Sequence, residues 1–286
     1  MRDVAAEADH RNVPLEKVGI KDFHLPLNVK RKDGSYSSVL GVVEIAVELP
    51  KHHRGTHMSR FVEILRRWQN QPMAEAEMKQ MSIEAAEIFS AQKVYLETRF
   101  KYFLEKRTPA TNILCTLDYD CTFSCRWNQG FDFILGVQVP TMLVCPCSRE
   151  ISDFGAHSQR AVVSAQVRYD EGTIVWIEDL VPPLEKSGSA EIFPLLKRED
   201  EKLITEQSFS NPKFVEDAVR DCFLGLRQFP NITWFQVSCE AAESIHNHYA
   251  YASTSWRRPP HKPARPPRSR PSGQARTGQK TRRLRD

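Results

Sequence analysis

The chain has 286 residues, 41% of them hydrophobic and 27% charged, enough apolar material to bury a sizeable core and to exclude intrinsic disorder over most of its length. Its formal charge of +4 is unevenly spread: residues 257–286 hold 11 Lys/Arg against one Asp, which leaves 29 basic and 35 acidic residues, a net of −6, for residues 1–256. The body is mildly acidic, and no segment approaches the ~18 consecutive apolar residues that a membrane helix needs.

In chain order, Val39, Gly41, Val43, Ile45, Val47 and Leu49 fall at every second position, with Glu44 and Glu48 between the last of them, the signature of a strand that Pro50 ends. Met58, Phe61, Ile64, Leu65 and Trp68 then recur at three- and four-residue steps and predict a helix starting between Thr56 and Ser59. A second helix is expected from Ser82 to about Gln92. Strict alternation returns over Val94–Leu104 and Ile113–Phe123, with Thr108–Thr111 as the turn of a long hairpin, and again over Phe131–Thr141 and Arg160–Tyr169. At ~3.3 Å per residue an eleven-residue strand spans roughly 36 Å, long for an ordinary sheet and suited to a barrel or tunnel wall.

Short helices are expected at Ile174–Leu180 and after Ser189. Asn211 and Pro212 read as the cap and first residue of a longer one, with Phe214, Val215, Ala218, Val219, Cys222, Phe223 and Leu226 facing inward. Ile232–Cys239 and Ile245–Tyr251 close the body as strands. The order strands, helices, strands occurs twice, which predicts an α+β body over 1–256 made of two ββααββ units, approximately 1–128 and 129–256.

Residues 257–286 carry six prolines and almost no apolar side chains, so they are expected to form a disordered tail; this is either a basic arm for nucleic acid or a dispensable extension. With seven cysteines, an odd number, and no secretion signal at Met1–His10, reduced thiols and a cytoplasmic protein are expected.

Four clusters carry candidate chemistry. In Cys145-Pro146-Cys147-Ser148-Arg149-Glu150, followed by Gly155-Ala156-His157, a thiol ends one strand and an imidazole begins its antiparallel neighbour, so the two can converge on a borderline metal. A small buried cysteine is the plainer alternative. In Glu243-Ser244-Ile245-His246-Asn247-His248, an extended backbone would put both histidines on one face about 6.6 Å apart, for proton transfer or ligation, or leave them as surface residues. The charged run Lys197-Arg198-Glu199-Asp200-Glu201-Lys202 reads as a solvated helix face, whereas Glu216 sits near a helix N-terminus that stabilises a carboxylate. Finally, Lys51-His52-His53-Arg54-Gly55-Thr56-His57-Met58-Ser59-Arg60 is a basic loop entering a helix, a recipe for holding phosphate without a glycine-rich loop.

These strings, with Gly55–Phe61, Cys145–Ser152, Leu195–Lys202, Asn211–Asp217 and Glu243–His248 in that order over residues 1–252, resemble the type B GTP cyclohydrolase I family. The resemblance implies a tunnelling fold: two tandem ββααββ units whose antiparallel sheets form a barrel on oligomerisation, in a homotetramer with active sites at subunit interfaces. It implies conversion of GTP and water to 7,8-dihydroneopterin triphosphate and formate, the entry step to folate-type pterins, with one divalent metal (Zn, Mn or Fe) per site. Cys145, His157 and Glu201 fall on the metal ligands; Cys145, His157, Glu243, His246 and His248 on the catalytic group; Glu216 on the acid that anchors guanine. Cys147 is left as a packing or outer residue.

The chemistry suits these residue types. Attack at C8 of guanine needs hydroxide, which a metal supplies at neutral pH. Histidines near N7 and N9 would move protons. Glu216 would accept the N1–H and N2–H that adenine lacks, and Lys51, Arg54, Arg60 and Lys197 are the candidates for the triphosphate. Two features depart from the family: Glu199 stands where proline is common, and the 257–286 tail extends past its usual end. The alternatives are a deazaguanine nitrile reductase of the same fold, disfavoured by the Cys-to-His spacing, and a nucleic-acid binder acting through the tail. A zinc base deaminase is unsupported, since its His-x-Glu and Pro-Cys-x-x-Cys motifs are missing.

Overall fold

A computed structural model describes residues 4, 5 and 7–260. The elements run β1 (Leu15–Lys30), β2 (Tyr36–Leu49), α1 (Met58–Trp68), β3 (Pro72–Met73), α2 (Glu75–Phe89), β4 (Lys93–Arg107), β5 (Leu114–Asn128), β6 (Phe131–Val144), α3 (Pro146–Ile151), β7 (Ser158–Tyr169), α4 (Ile177–Glu185), β8 (Ala190–Glu191), α5 (Arg198–Ser210), α6 (Val215–Leu226), β9 (Ile232–Ala242) and β10 (Tyr249–Arg257). All ten strands belong to one sheet, ordered β10-β9-β7-β6-β5-β4-β2-β1-β3, with β8 added beside β6. Only the β1–β3 contact is parallel.

This corrects the expected tunnelling fold of two tandem units whose sheets form a barrel on oligomerisation. The sheet has no seam at the midpoint: β5 and β6 pair from Asp120↔Gln138 to Trp127↔Phe131, so one ladder crosses from the first half to the second. The cause is local. Gln129, at φ 56°, and Gly130 form a two-residue hairpin loop between Asn128 and Phe131, and a connection this short obliges its flanking strands to pair. Alternation in the sequence states that each strand buries one face; it does not state how many sheets the strands make.

Three further elements differ from the sequence reading. The long first strand was not anticipated because its pairing with β2 slips between Leu15 and Val18 and again between Ile20 and Phe23, where Asp22 takes φ 54°; each bulge resets the inward-facing parity. Helix α2 starts at Glu75, earlier than expected, where the Glu77 carboxylate accepts the N–H of Ala74 at 3.0 Å. Asn211 ends α5 instead of starting α6: its side-chain amide donates to the carbonyls of Gly188 and Ser189 at 3.3 and 3.1 Å, and α6 begins after Phe214.

The helices lie on one face of the sheet. Helices α1 and α2 cover the first half, where Phe61 and Phe89 stack at 4.1 Å, and α4 and α6 cover the second, burying Leu180, Leu184, Val219, Cys222 and Leu226. Helix α4 also reaches across the midline. Tyr102 and Tyr119 of the β4–β5 hairpin donate to its Glu178 and Glu185 at 2.6 and 2.8 Å, and Lys106 pairs with Glu185 at 2.6 Å and with Glu191 at 3.0 Å. Burial pushes both tyrosine hydroxyls and the Glu185 carboxyl up, although the adjacent Lys106 ammonium acts against the rise at Glu185.

Arg257 is the last residue of β10, and Arg258 is fixed by Asp170 at 2.9 Å and by the Ile232 carbonyl at 2.9 Å; the rest of the expected tail, 261–286, lies outside the described residues. Among the described residues no helix is long and apolar enough to cross a membrane.

Gly19 marks the tightest approach within the sheet: a Cβ there would lie 2.0 Å from the Ile45 carbonyl oxygen and 2.6 Å from the Ala46 Cα. Because the obstacle is backbone, Gly19→Ala must open the β1–β2 ladder. We expect a loss of roughly 1–3 kcal/mol in urea unfolding.

Candidate active site

The β6–β7 ladder runs to Val144↔Ser158, and one residue beyond it the Cys145 N–H donates to the His157 carbonyl at 3.0 Å. Pro146 then turns the chain into α3, whose first turn Cys145 caps: Sγ accepts from the Ser148 N–H at 3.5 Å. The Ser148 hydroxyl donates to the Cys145 carbonyl at 3.2 Å and accepts from the His157 N–H at 3.1 Å, so the loop between thiol and imidazole is closed on itself. Cys145 and His157 are half-buried, and Cys147 faces solvent.

On β7 the side chain two residues after His157 belongs to Gln159. Its Oε1 lies 2.9 Å from His157 Nδ1, and its Nε2 donates to Glu243 at 3.2 Å; the Ser244 hydroxyl lies 3.3 Å from the same ring nitrogen. The register explains the meeting: β7 and β9 pair at Ala161↔Ala241, and two steps further along the two strands are Gln159 and Glu243. Gln159 and Ser244 were absent from the sequence-derived set, although the alternation that places 157 and 159 on one face was visible there.

The segment after Glu243 is a bend and not the expected strand, which starts only at Tyr249. His246 and His248 still come together, with ring centroids 5.1 Å apart and planes 15° from parallel. Both are exposed.

Glu201 sits in the first turn of α5 with its side chain in solvent, as do Lys197 and Glu199. Among the described residues no group of three or more His, Cys, Asp or Glu side chains converges as a metal set; Cys145 and His157 are joined through their backbone, and Glu201 does not complete a set with them within the chain. The neighbour of Glu201 anchors the helix. Asp200 is fully buried and accepts from the N–H groups of Ala110 and Thr111 at 2.9 Å each, from the Thr111 hydroxyl at 2.5 Å and from the Lys197 N–H at 3.1 Å. Burial raises its pKa, but these donors prevail and hold the carboxyl well below the usual carboxylate range.

The start of α6 is tied to the same end of the sheet, since the Lys213 N–H donates to the carbonyl of Val144 at 3.0 Å. Glu216 follows on the first turn and lines a cavity of about 520 Å³ between α6 and β10, whose apolar wall is Val219, Phe223, Leu224 and Ala252.

Lys51, Arg54 and Arg60 are elsewhere. Val47, Val94, Trp127 and Phe131 form one row across β2, β4, β5 and β6, and the basic loop follows Val47 directly. Cys145 lies beyond the other end of β6, a strand of 14 residues, and therefore roughly 46 Å away along the sheet. Arg54 pairs with Glu7, while Thr56, His57 and Arg60 line a cavity of about 270 Å³ at the start of α1.

All seven cysteines are free thiols. Burial pushes the thiols of Cys125, Cys222 and Cys239 up to about 12, and that of Cys121 further.

A model of the type I GTP cyclohydrolase FolE2 family matches residues 1–252. The chain is 44% identical over 253 residues to the GTP cyclohydrolase FolE2 of Citrifermentans bemidjiense, covering 88% of this chain and 94% of that protein. It is 46% identical over 252 residues to the GTP cyclohydrolase FolE2 of Kosmotoga olearia, covering 88% and 97%. In fold it is similar to the uricase of Arthrobacter globiformis, with a TM-score of 0.51 at 11% identity over 88% of this chain and 96% of that one.

The Asp200 clamp has a pH signature. An unfolded aspartate titrates near 3.9, so a carboxyl depressed in the folded chain contributes stability that is complete above about pH 4 and fades as pH falls through its folded value. Asp200→Asn should lower the urea midpoint by a constant amount between about pH 7 and 5, and that difference should shrink between about pH 4 and 2. A difference independent of pH would mean the carboxylate charge is immaterial.

Proposed function

This chain belongs to the type I GTP cyclohydrolase FolE2 family, and on that premise we propose that it converts GTP and water to 7,8-dihydroneopterin triphosphate and formate, opening the route to folate-type pterins. The observation that carries the reading is the backbone pairing of Cys145 with His157 one residue beyond the β6–β7 ladder, with Glu243 joined to the imidazole through Gln159. The donor types fit a borderline divalent metal, for a thiol and an imidazole stand on adjacent backbone positions and the Nδ1 of that imidazole is engaged, which leaves Nε2 for ligation. We assign Zn²⁺, Mn²⁺ or Fe²⁺ to this pair, with Glu201 as the third protein ligand. Such a metal, when bound, supplies an activated water at neutral pH.

The chain's own residues do the rest. Glu216 holds the N1–H and N2–H edge of guanine at the mouth of the apolar cavity beneath α6 and so selects guanine over adenine. His246 and His248, exposed on the bend and close enough to exchange a proton through one water, protonate ring nitrogens as the C8–N bonds break. Lys197 on one side, and Lys51, Arg54 and Arg60 on the other, neutralise the triphosphate.

The ~46 Å between the basic loop and Cys145 leads us to assign the complete site to two copies of the chain, in a homotetramer. Support comes from the unpaired edge of β10 and from the apolar tip beside the site, where Ile151 and Phe154 are 84% and 99% exposed. We place the enzyme in the cytoplasm, where its seven free thiols would stay reduced. A nitrile reductase gains no support, as the relatives compared above are named GTP cyclohydrolases.

Two experiments test this. In metal-free enzyme reloaded with Zn²⁺, Mn²⁺ or Fe²⁺, formate release from GTP should fall at least a hundredfold in Cys145→Ala and His157→Ala, with stoichiometric metal binding lost; full turnover in either variant would refute the metal assignment. Arg60→Ala and Cys145→Ala, each inactive alone, should recover about a quarter of wild-type turnover when unfolded together and refolded, the share of sites that random mixing leaves with both residues intact. No recovery would place the site within one copy.

A further inference from the structure

We propose that Gln159 is a positioning residue that locks His157 in a single tautomer, with the proton on Nδ1 and the lone pair on Nε2; its value to the enzyme rests on the metal reading above, but its geometry does not. A carboxylate can only accept hydrogen bonds, so the side of the Gln159 amide that meets Glu243 at 3.2 Å has to be the NH₂. The amide oxygen is then the atom that meets His157, at 2.9 Å, and an oxygen can only accept. In the neutral ring the proton therefore resides on Nδ1. Glu243, just past the end of β9 and more than eighty residues further along the chain, thus dictates through one intervening amide which nitrogen of His157 carries a lone pair.

The arrangement is held from several directions. His157, just before β7, and Gln159 lie two residues apart on an extended backbone and so share a face, and the β7–β9 register, continued two steps past Ala161↔Ala241, carries Gln159 to Glu243. The Ser148 hydroxyl holds the His157 backbone N–H at 3.1 Å, so the residue is fixed at its main chain as well as at its ring. The Ser244 hydroxyl lies 3.3 Å from Nδ1 and, being able to donate or accept, follows whichever tautomer the shorter Gln159 contact sets. An imidazole without such partners divides its neutral form between two tautomers, one of which presents N–H where a lone pair is required.

The test uses full-length protein with ¹⁵N-labelled histidine, free of metal, and reads the His157 tautomer from long-range ¹H–¹⁵N correlations at a pH where the ring is neutral. Wild type should show Nδ1–H alone. Gln159→Leu, which offers no acceptor, should show a mixture or the Nε2–H form, and Gln159→Glu, which restores an oxygen at the same reach, should return the ring to Nδ1–H. The Gln159→Glu rescue is made together with Glu243→Gln, so that one donor remains between the two side chains; should Gln159→Leu fail to fold, Glu243→Ala serves instead, because it frees the amide to turn and should likewise mix the tautomers. Chelator competition with Zn²⁺ should then show affinity about ten- to a hundredfold weaker in Gln159→Leu. An unchanged Nδ1–H tautomer in Gln159→Leu or Glu243→Ala overturns the inference. Wild-type protein that binds no Zn²⁺ at Cys145 and His157 overturns the metal reading, and the tautomer measurement still decides the role of Gln159.

Discussion

The β6–β7 register decides where this molecule's chemistry can be. Strands β6 and β7 pair without a bulge from Leu135↔Val167 to Val144↔Ser158, and along that ladder Leu135, Val137, Val139, Leu143, Ala161, Val163, Ala165 and Val167 are all turned into the core. A slip of one residue would expose this whole set and bury the intervening polar positions, so the hydrophobic pattern holds the register rigidly. The Cys145–His157 backbone bond is the next rung of the same ladder, and Gln159 meets Glu243 two rungs past the last pair of β7 with β9 that lies inside the core. Packing of valines and alanines in the middle of the sheet therefore sets the candidate side chains Gln159 and Glu243 at its rim to within hydrogen-bond reach.

Charge plays the same part at α5 and α4. Asp200 gathers backbone donors from the β4–β5 turn and from its own helix start, which orients the turn bearing Lys197 and Glu201. The Lys106 ammonium, 12% exposed between Glu185 and Glu191, is an ion pair taken largely out of water, where removal of either partner strands the other. Both clusters fasten a helix of the second half to a hairpin of the first, so the continuity of the sheet is matched in the layer above it.

Much of this was readable in the sequence. The backbone pairing of Cys145 with His157 follows from antiparallel geometry, and the paired strands with their inward faces follow from strict alternation at positions such as Val94, Leu96 and Phe100. What was not readable depends on partners distant along the chain. Gln159 gains its meaning from Glu243, and no local pattern announces that. The basic loop at Lys51–Arg60 has the composition of a phosphate site wherever it is placed; only the pairing order reveals that it caps the opposite end of the sheet. His246 and His248 meet by a bend and not by the extended backbone that the spacing suggested, so a correct pairing rested on the wrong geometry. The single sheet escaped the sequence reading because a two-residue connection, Gln129 and Gly130, outweighs any repeat of period on either side of it.

The distribution of cysteines has a practical corollary. Five of the seven, Cys115, Cys121, Cys125, Cys222 and Cys239, are buried in the core, whereas Cys145 and Cys147 lie at the rim, the first half-buried and the second exposed. An electrophile such as a maleimide or an alkylating fluorophore would find only the Cys-Pro-Cys turn while the protein stays folded. The fold thus supplies its own site-selective handle: a probe introduced without any mutagenesis would report from within a few residues of His157, and the appearance of further labelled thiols would time the opening of the sheet.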